Sequence, residues 1–271
     1  LGQLAHYLDR TAGSTPTVIC DTSPLAPANA VRLSDTDLIL LMMNRKDAPF
    51  RYTDCGSSLV LTNGGEAQQI VLPEGNALVN LHPYIKNWLK MGEVVIQPDL
   101  PAQAVVRLNV SKQLADRIGR FTTTSPPGFA PEAPGGTGLA VPPVRFGGNL
   151  TFLGYDNLDT LYMPGGVVTS VTYWRVDGVL PPDLRLFTHI LSDPAAIAAQ
   201  TDTISVNVSQ LQSRDIFLQL TFIPLPRSIP TGMYEVSIGA YLESTGERLD
   251  VLENGQPRGR RLFVGEIKVT K

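Results

Sequence analysis

The chain has 271 residues, of which 43% are apolar, 7% aromatic and 17% charged, with a formal net charge of -3. That length buries a sizeable core in one large or two ordinary domains, and the composition excludes a disordered chain. The small net charge excludes a basic field for nucleic acid, so no nucleic-acid partner is expected, and the longest apolar run, residues 38–43, is far short of a bilayer span.

In chain order, Leu1, Leu4, Ala5 and Leu8 recur at helical spacing, and Gly13 suits a stop. Residues 16–20 suit a buried strand. Ser34 followed by Asp37 resembles a helix N-cap with an acidic first turn, continued by residues 38–43. Residues 50–54, 58–61 and 69–72 are short and strand-like, and Asn63-Gly64-Gly65 predicts a hairpin turn between the last two. Residues 81–89 predict a helix with Pro83 in its first turn, and residues 94–96 and 104–110 predict strands. Ser111 then caps a helix through residue 118. Helices interleaved with strands predict an α/β layered domain over residues 1–118.

Residues 119–148 hold Gly or Pro at 13 of 30 positions, too many for a helix or central strand. Residues 119–146 therefore read as a linker between two domains. Beyond it the period becomes two. In residues 233–243, Tyr234, Val236, Ile238, Ala240 and Leu242 alternate with Glu235, Ser237, Tyr241 and Glu243. Residues 148–155, 167–175, 185–191, 204–208, 216–222 and 262–270 complete about seven strands, an all-β immunoglobulin-like sandwich over residues 147–271. Tyr234, after Pro230 and Gly232, stands where such sandwiches place a corner tyrosine whose hydroxyl ties down a loop.

Motifs for chemistry are sparse. Asp35-Thr36-Asp37 matches a loose D-x-D pattern for a metal and a sugar nucleotide, but carboxylates in a first helical turn are explained by the macrodipole. Gly135-Gly136-Thr137-Gly138 lacks the strand and helix that a phosphate loop needs. Of the three histidines, His6 and His82 sit on or at the start of helices and suit solvent. His189 is in register with Phe187 and Leu191 and suits a satisfied sheet histidine better than a catalytic base. Trp174, Tyr155, Tyr173 and Tyr241 fit a stacking platform for sugar rings; the other reading is that Trp174 and Tyr155 fill the sandwich core, and for Trp174 the core reading is favoured. Asn109, Asn149 and Asn207 open N-x-S/T sequons, triplets that chance produces often. No catalytic residue, metal site or cofactor is expected.

The second half resembles the extracytoplasmic C-terminal region of bacterial polytopic membrane glycosyltransferases, those similar to dolichyl-phosphate-mannose protein mannosyltransferases. The blocks are Leu153-Gly154-Tyr155, Pro164-Gly165-Gly166, Val171-Thr172-Tyr173-Trp174, Phe187-Thr188-His189-Ile190-Leu191, Pro230-Thr231-Gly232-Met233-Tyr234, Gly239-Ala240-Tyr241-Leu242 and Thr245-Gly246-Glu247-Arg248-Leu249. Residues 205–214 depart from it, lacking the Trp and Gly of the usual loop. The first half looks like the α/β region after the last membrane span, on Asp54-Cys55 followed by Ser58-Leu59-Val60-Leu61.

The resemblance implies a non-catalytic domain pair outside the cytoplasm, tethered through a membrane-embedded portion of the same parent chain. Transfer chemistry would lie elsewhere in that parent, and this portion would cover the active face or contact acceptor or glycan. The alternative is a free-standing carbohydrate-binding or adhesion module. The chain opens on Leu1 with no secretory leader pattern and reads as a piece of a longer or processed product. Cys20 and Cys55 are too few for a disulfide scaffold or a zinc cluster; neighbouring parallel strands and an oxidising compartment permit a disulfide, and two buried free thiols are the other outcome, favoured at this point.

Overall fold

The computed structural model describes residues 1–20, 35–44, 49–72, 81–96, 100, 104–123, 130–131, 141–157, 160–194 and 196–271. The chain is mostly β, with several sheets and a small helical part. It divides into two compact units, Leu1–Leu114 with Ser205–Phe217, and Ala115–Ile204 with Leu218–Lys271.

The first unit contains β1 (Thr17–Cys20), β2 (Phe50–Thr53), β3 (Ser58–Leu61), β4 (Gln68–Val71), β5 (Glu93–Val94) and β6 (Val105–Leu108). Its sheet runs β2-β1-β4-β6-β5, parallel about β1 and antiparallel about β6. Helix α1 (Gly2–Thr11) buries Leu4, Ala5, Tyr7 and Leu8, the stripe a 3.6-residue period brings to one face. These pack with Ile39 of α2 (Asp35–Met42), Met43, and Ile19, Val71 and Val105 of the sheet. Tyr7 Oη donates to Gln69 Oε1 at 3.2 Å, and Gln69 Nε2 donates to Thr11 and Thr17 hydroxyls, so α1 is fixed to the sheet by polar bonds as well as apolar burial. Helix α3 (Pro83–Leu89) starts at His82, whose Nδ1 accepts the Tyr84 amide at 3.2 Å. Thus the helices and the mixed sheet meet the α/β expectation only loosely.

Several expectations need correction. Residues 62–65 make no hairpin: β4 pairs with β1 and β6, not β3. Asn63, Gly64 and Gly65 instead take left-handed backbone around a single 3-10 turn, Thr62–Gly64. Helix α4 (Ser111–Thr123) runs past residue 118. Phe121 packs 5.6 Å from the Tyr173 ring, and this contact overrides the poor propensity of Gly119. Ser34, the Asp35 and Asp37 side chains and residues 135–138 lie outside what is described.

The second unit contains β7 (Ala130–Pro131), β8 (Val144–Phe146), β9 (Leu150–Asn157), β10 (Leu161–Tyr162), β11 (Val167–Val176), β12 (Leu184–Asp193), β13 (Ala196–Thr203), β14 (Ile216–Pro224, entered from the first unit at Leu218), β15 (Gly232–Leu242), β16 (Val251–Glu253), β17 (Gln256–Pro257) and β18 (Leu262–Val269). One sheet runs β10-β18-β15-β12-β13, with β7 on β18, and another runs β17-β16-β8-β9-β11-β14. Residues 204–208 are not a strand: Val206 makes one bridge, to Thr53, and a 3-10 turn follows at Val208–Gln210. The strand is β13 instead. Its Ala-Ile-Ala-Ala-Gln-Thr-Asp-Thr sequence shows little apolar alternation, and pairing with β12 imposes the extended form. Tyr234 Oη donates to the Pro230 carbonyl at 2.8 Å, the corner bond expected from its position.

The segment Ser205–Phe217 is held in the first unit by a buried ion pair. Arg51 is 3% exposed and Asp215 0%. Arg51 Nε donates to Asp215 Oδ2 at 2.9 Å and Nη2 to Oδ1 at 3.2 Å. The guanidinium also donates to the Pro49 carbonyl and Gln212 Oε1, while Asp215 accepts the Asn63 and Gln212 amides. This two-pronged, fully hydrogen-bonded arrangement is what a buried pair requires.

Candidate functional site

In an antiparallel sheet, directly paired residues share a face. On β12, Arg185, Phe187, His189 and Leu191 form one such set, and their β15 partners are Tyr241, Gly239, Ser237 and Glu235. On β13, Phe187 pairs with Asp202 and His189 with Gln200. Between Val236 and Ser237 the β15–β18 register shifts, bringing Phe263 opposite Ser237. One sheet face thus gathers Phe187, His189, Asp202, Ser237 and Tyr241.

The rings are layered. Phe187, 2% exposed, stacks on His189 with centroids 4.5 Å apart and planes 29° apart, and the Arg248 guanidinium lies 4.8 Å over Phe187. Gly239 makes room for this: a Cβ there would stand 2.2 Å from Phe187 Cζ and 3.0 Å from the Arg260 carbonyl. Arg248 is carried in by an isolated bridge to Tyr241. Arg261 lies 4.9 Å over Phe263 and donates to the Pro194 carbonyl at 2.7 Å.

Electrostatics follow from burial. His189 is 4% exposed, and its Nε2 is 3.9 Å from Asp202 Oδ1. Desolvation lowers its pKa to about 4, opposed by the Asp202 charge and reinforced by Arg248 and Arg261, so the imidazole is neutral near pH 7. Burial first, and then the Asp202 carboxylate beside it, raise the Tyr241 phenol above its ordinary value. A neutral imidazole, a carboxylate, a phenol and a guanidinium on an aromatic ring supply both hydrogen-bond donors and acceptors.

The structure separates the residues singled out from the sequence. His189 and Tyr241 belong to this face. His189 is buried as expected of a sheet histidine, but it makes no hydrogen bond among the described residues. Trp174 does not join them. It is 1% exposed, lies 5.3 Å from Phe146 and 5.1 Å from Phe152, and donates Nε1 to the Thr172 hydroxyl at 2.8 Å, which leaves it no free face for a ligand. Tyr155 is half-buried on β9, paired with Thr172 on the other sheet. Sequence reasoning passed over Asp202, Ser237 and Arg248 as site residues; only strand register unites them with His189.

Cys20 and Cys55 are bonded to each other, Cα atoms 5.2 Å apart, and both are fully buried. The free-thiol outcome is corrected. The parallel β1–β2 pairing puts Cys20 opposite Thr53, and Cys55 follows two residues on with left-handed backbone. Among the described residues, no three His, Cys, Asp or Glu side chains gather as metal ligands, and no helix is long and apolar enough to cross a membrane.

No protein-family model matches the chain, and no curated protein matches it. Solved structures similar to part of it include the C-terminal domain of Wzt, 12% identical, covering 48% of this chain and 80% of that one, at a TM-score of 0.36. Another is Spo0M, the sporulation control protein of Bacillus subtilis, 16% identical, covering 46% and 50%, at 0.28. A third is a CARDB domain from Pyrococcus furiosus, 9% identical, covering 49% and 95%, at 0.27.

Proposed function

We propose that the chain is the non-catalytic, extracytoplasmic portion of a bacterial membrane glycosyltransferase-like protein, tethered through a membrane-embedded region of the same parent chain. In this reading the second unit is an immunoglobulin-like sandwich that contacts acceptor or glycan beside the catalytic face. The observation that carries it is the buried Cys20–Cys55 disulfide, a bond that persists in oxidising compartments and is rare in the cytosol. The resemblance blocks add support, because Phe187, His189, Tyr241 and Arg248 come from three of them and gather on one sheet face.

The alternative, a free-standing carbohydrate-binding or adhesion module, draws on the same face, where aromatic and polar groups stand together as sugar recognition requires. Reading the gene upstream of Leu1 and mapping the topology of its product separates the two. Several membrane spans, with the Cys20–Cys55 region reached by thiol reagents only from outside after reduction, are expected. A reading frame without membrane spans would support the free module. Turnover of a lipid-linked or nucleotide-linked glycosyl donor by the purified chain would overturn the non-catalytic assignment.

A further inference from the structure

Buried polar groups nearly always have partners. On the β12–β15 face three side chains have hydrogen-bonding capacity that the described residues leave unused. Ser237 Oγ is fully buried with no hydrogen bond. The His189 imidazole, its direct cross-strand neighbour, makes none. The Arg248 guanidinium makes neither a hydrogen bond nor an ion pair among the described residues, although the chain has 25 carboxylates and seven other arginines are ion-paired. Arg248 is nonetheless positioned, its guanidinium carbon 4.8 Å over the Phe187 ring, which itself is stacked on His189.

The geometry points to a binding site for a sugar bearing an oxyanion substituent, a carboxylate or phosphate, held by Arg248 with Tyr241 and Asp202 at the open edge of the face, and with the unpartnered His189 and Ser237 in the buried layer beside Phe187. This rests on the carbohydrate-contact reading above and names the ligand class. A guanidinium fork matches the two oxygens of such a substituent, and stacking on an aromatic ring lowers the ordering needed when the ligand arrives. The donors and acceptors around it suit ring hydroxyls, which both give and accept protons. Arg261 adds positive potential without being free, since it is already bonded to the Pro194 carbonyl.

The test is a titration of the ¹⁵N-labelled 271-residue chain with D-glucuronate, D-glucose and inorganic phosphate, followed by NMR. Glucuronate is expected to shift the amides of Phe187, His189, Asp202, Ser237, Tyr241 and Arg248 at lower concentration than glucose. Arg248→Lys keeps the charge but loses the fork and is expected to weaken glucuronate binding at least about tenfold, the loss of one charge-assisted pair. Arg248 is partly exposed and makes no hydrogen bond or ion pair among the described residues, so this variant is expected to stay folded, with a melting temperature near wild type and amide shifts confined to the surroundings of residue 248 and Phe187. Equal binding of glucose and glucuronate would overturn the oxyanion assignment while the carbohydrate-contact reading stands. Phosphate binding as tightly as glucuronate would overturn the sugar. No shift of these amides with any probe, or full glucuronate affinity in Arg248→Lys, would overturn the site, leaving the location of the chain to the topology experiment.

Discussion

Arg51 with Asp215 in the first unit, and His189 with Asp202 and Arg248 in the second, are both clusters of charged or titratable groups drawn out of water, and they are finished differently. At Asp215 both oxygens accept two hydrogen bonds each, and Arg51 reaches two further acceptors. On the β12–β15 face the closest approach of His189 to a carboxylate is 3.9 Å, and Ser237 and Arg248 are unbonded among the described residues. The first arrangement has nothing left to offer a ligand and serves to close a segment onto its unit. The second keeps recognition capacity in reserve, at the expense of stability that full pairing would provide. The proposed distinction between the structural cluster and the candidate binding cluster therefore rests on the completeness of pairing, not on the residue types.

The largest effect should come from breaking the completed cluster. Asp215→Ala leaves Arg51 as an unpaired buried charge and is expected to destabilise the chain by about 3–5 kcal/mol, read from urea unfolding. Opening the disulfide by replacing both Cys20 and Cys55 with Ser releases a cross-link across a separation of 35 residues and should cost about 4 kcal/mol by the same measurement. A loss below about 1 kcal/mol in either would show that Ser205–Phe217 or the β1–β2 edge is held by other means.

The incomplete cluster should reveal itself through pH. Since the folded state depresses the His189 pKa to about 4 from 6.5, the unfolded chain binds the proton more readily. The stability tied to neutral His189 is fully present above pH 6.5 and is lost as pH falls toward 4, on the order of 2 kcal/mol between pH 7 and 4.5. His189→Gln should flatten that part of the melting-temperature profile; an unchanged profile would mean the histidine is not the titrating group. The smallest effect is Tyr234→Phe, which deletes only the bond to the Pro230 carbonyl and should cost about 1 kcal/mol in thermal unfolding, without altering the pH profile.

What was legible in the sequence was whatever depends on local pattern. The stripe of Leu4, Ala5 and Leu8, the alternation along β15 and the corner position of Tyr234 each follow from spacing alone. What was hidden depends on partners distant in the chain. Strand β13 is extended because β12 pairs with it, α4 continues because Phe121 finds Tyr173, and Asn63-Gly64-Gly65 is a strong turn signal whose flanking strands nevertheless pair elsewhere. The same holds for the site: Phe187, His189, Tyr241 and Arg248 stand in the blocks of the resemblance, but their convergence is a matter of register, and Asp202 and Ser237 carry no signal of their own.

The interrupted first unit bears on how the protein must be made. A growing chain releases Leu1–Leu114 early, yet Ser205–Phe217, which brings Asp215 to Arg51, is translated only after most strands of the second unit. Synthesis order and completion order are thus reversed for part of the molecule: the amino-terminal half waits with a naked cation for its counter-charge, and cleaving the polypeptide at its Gly/Pro-rich stretch would hand that counter-charge to the wrong fragment.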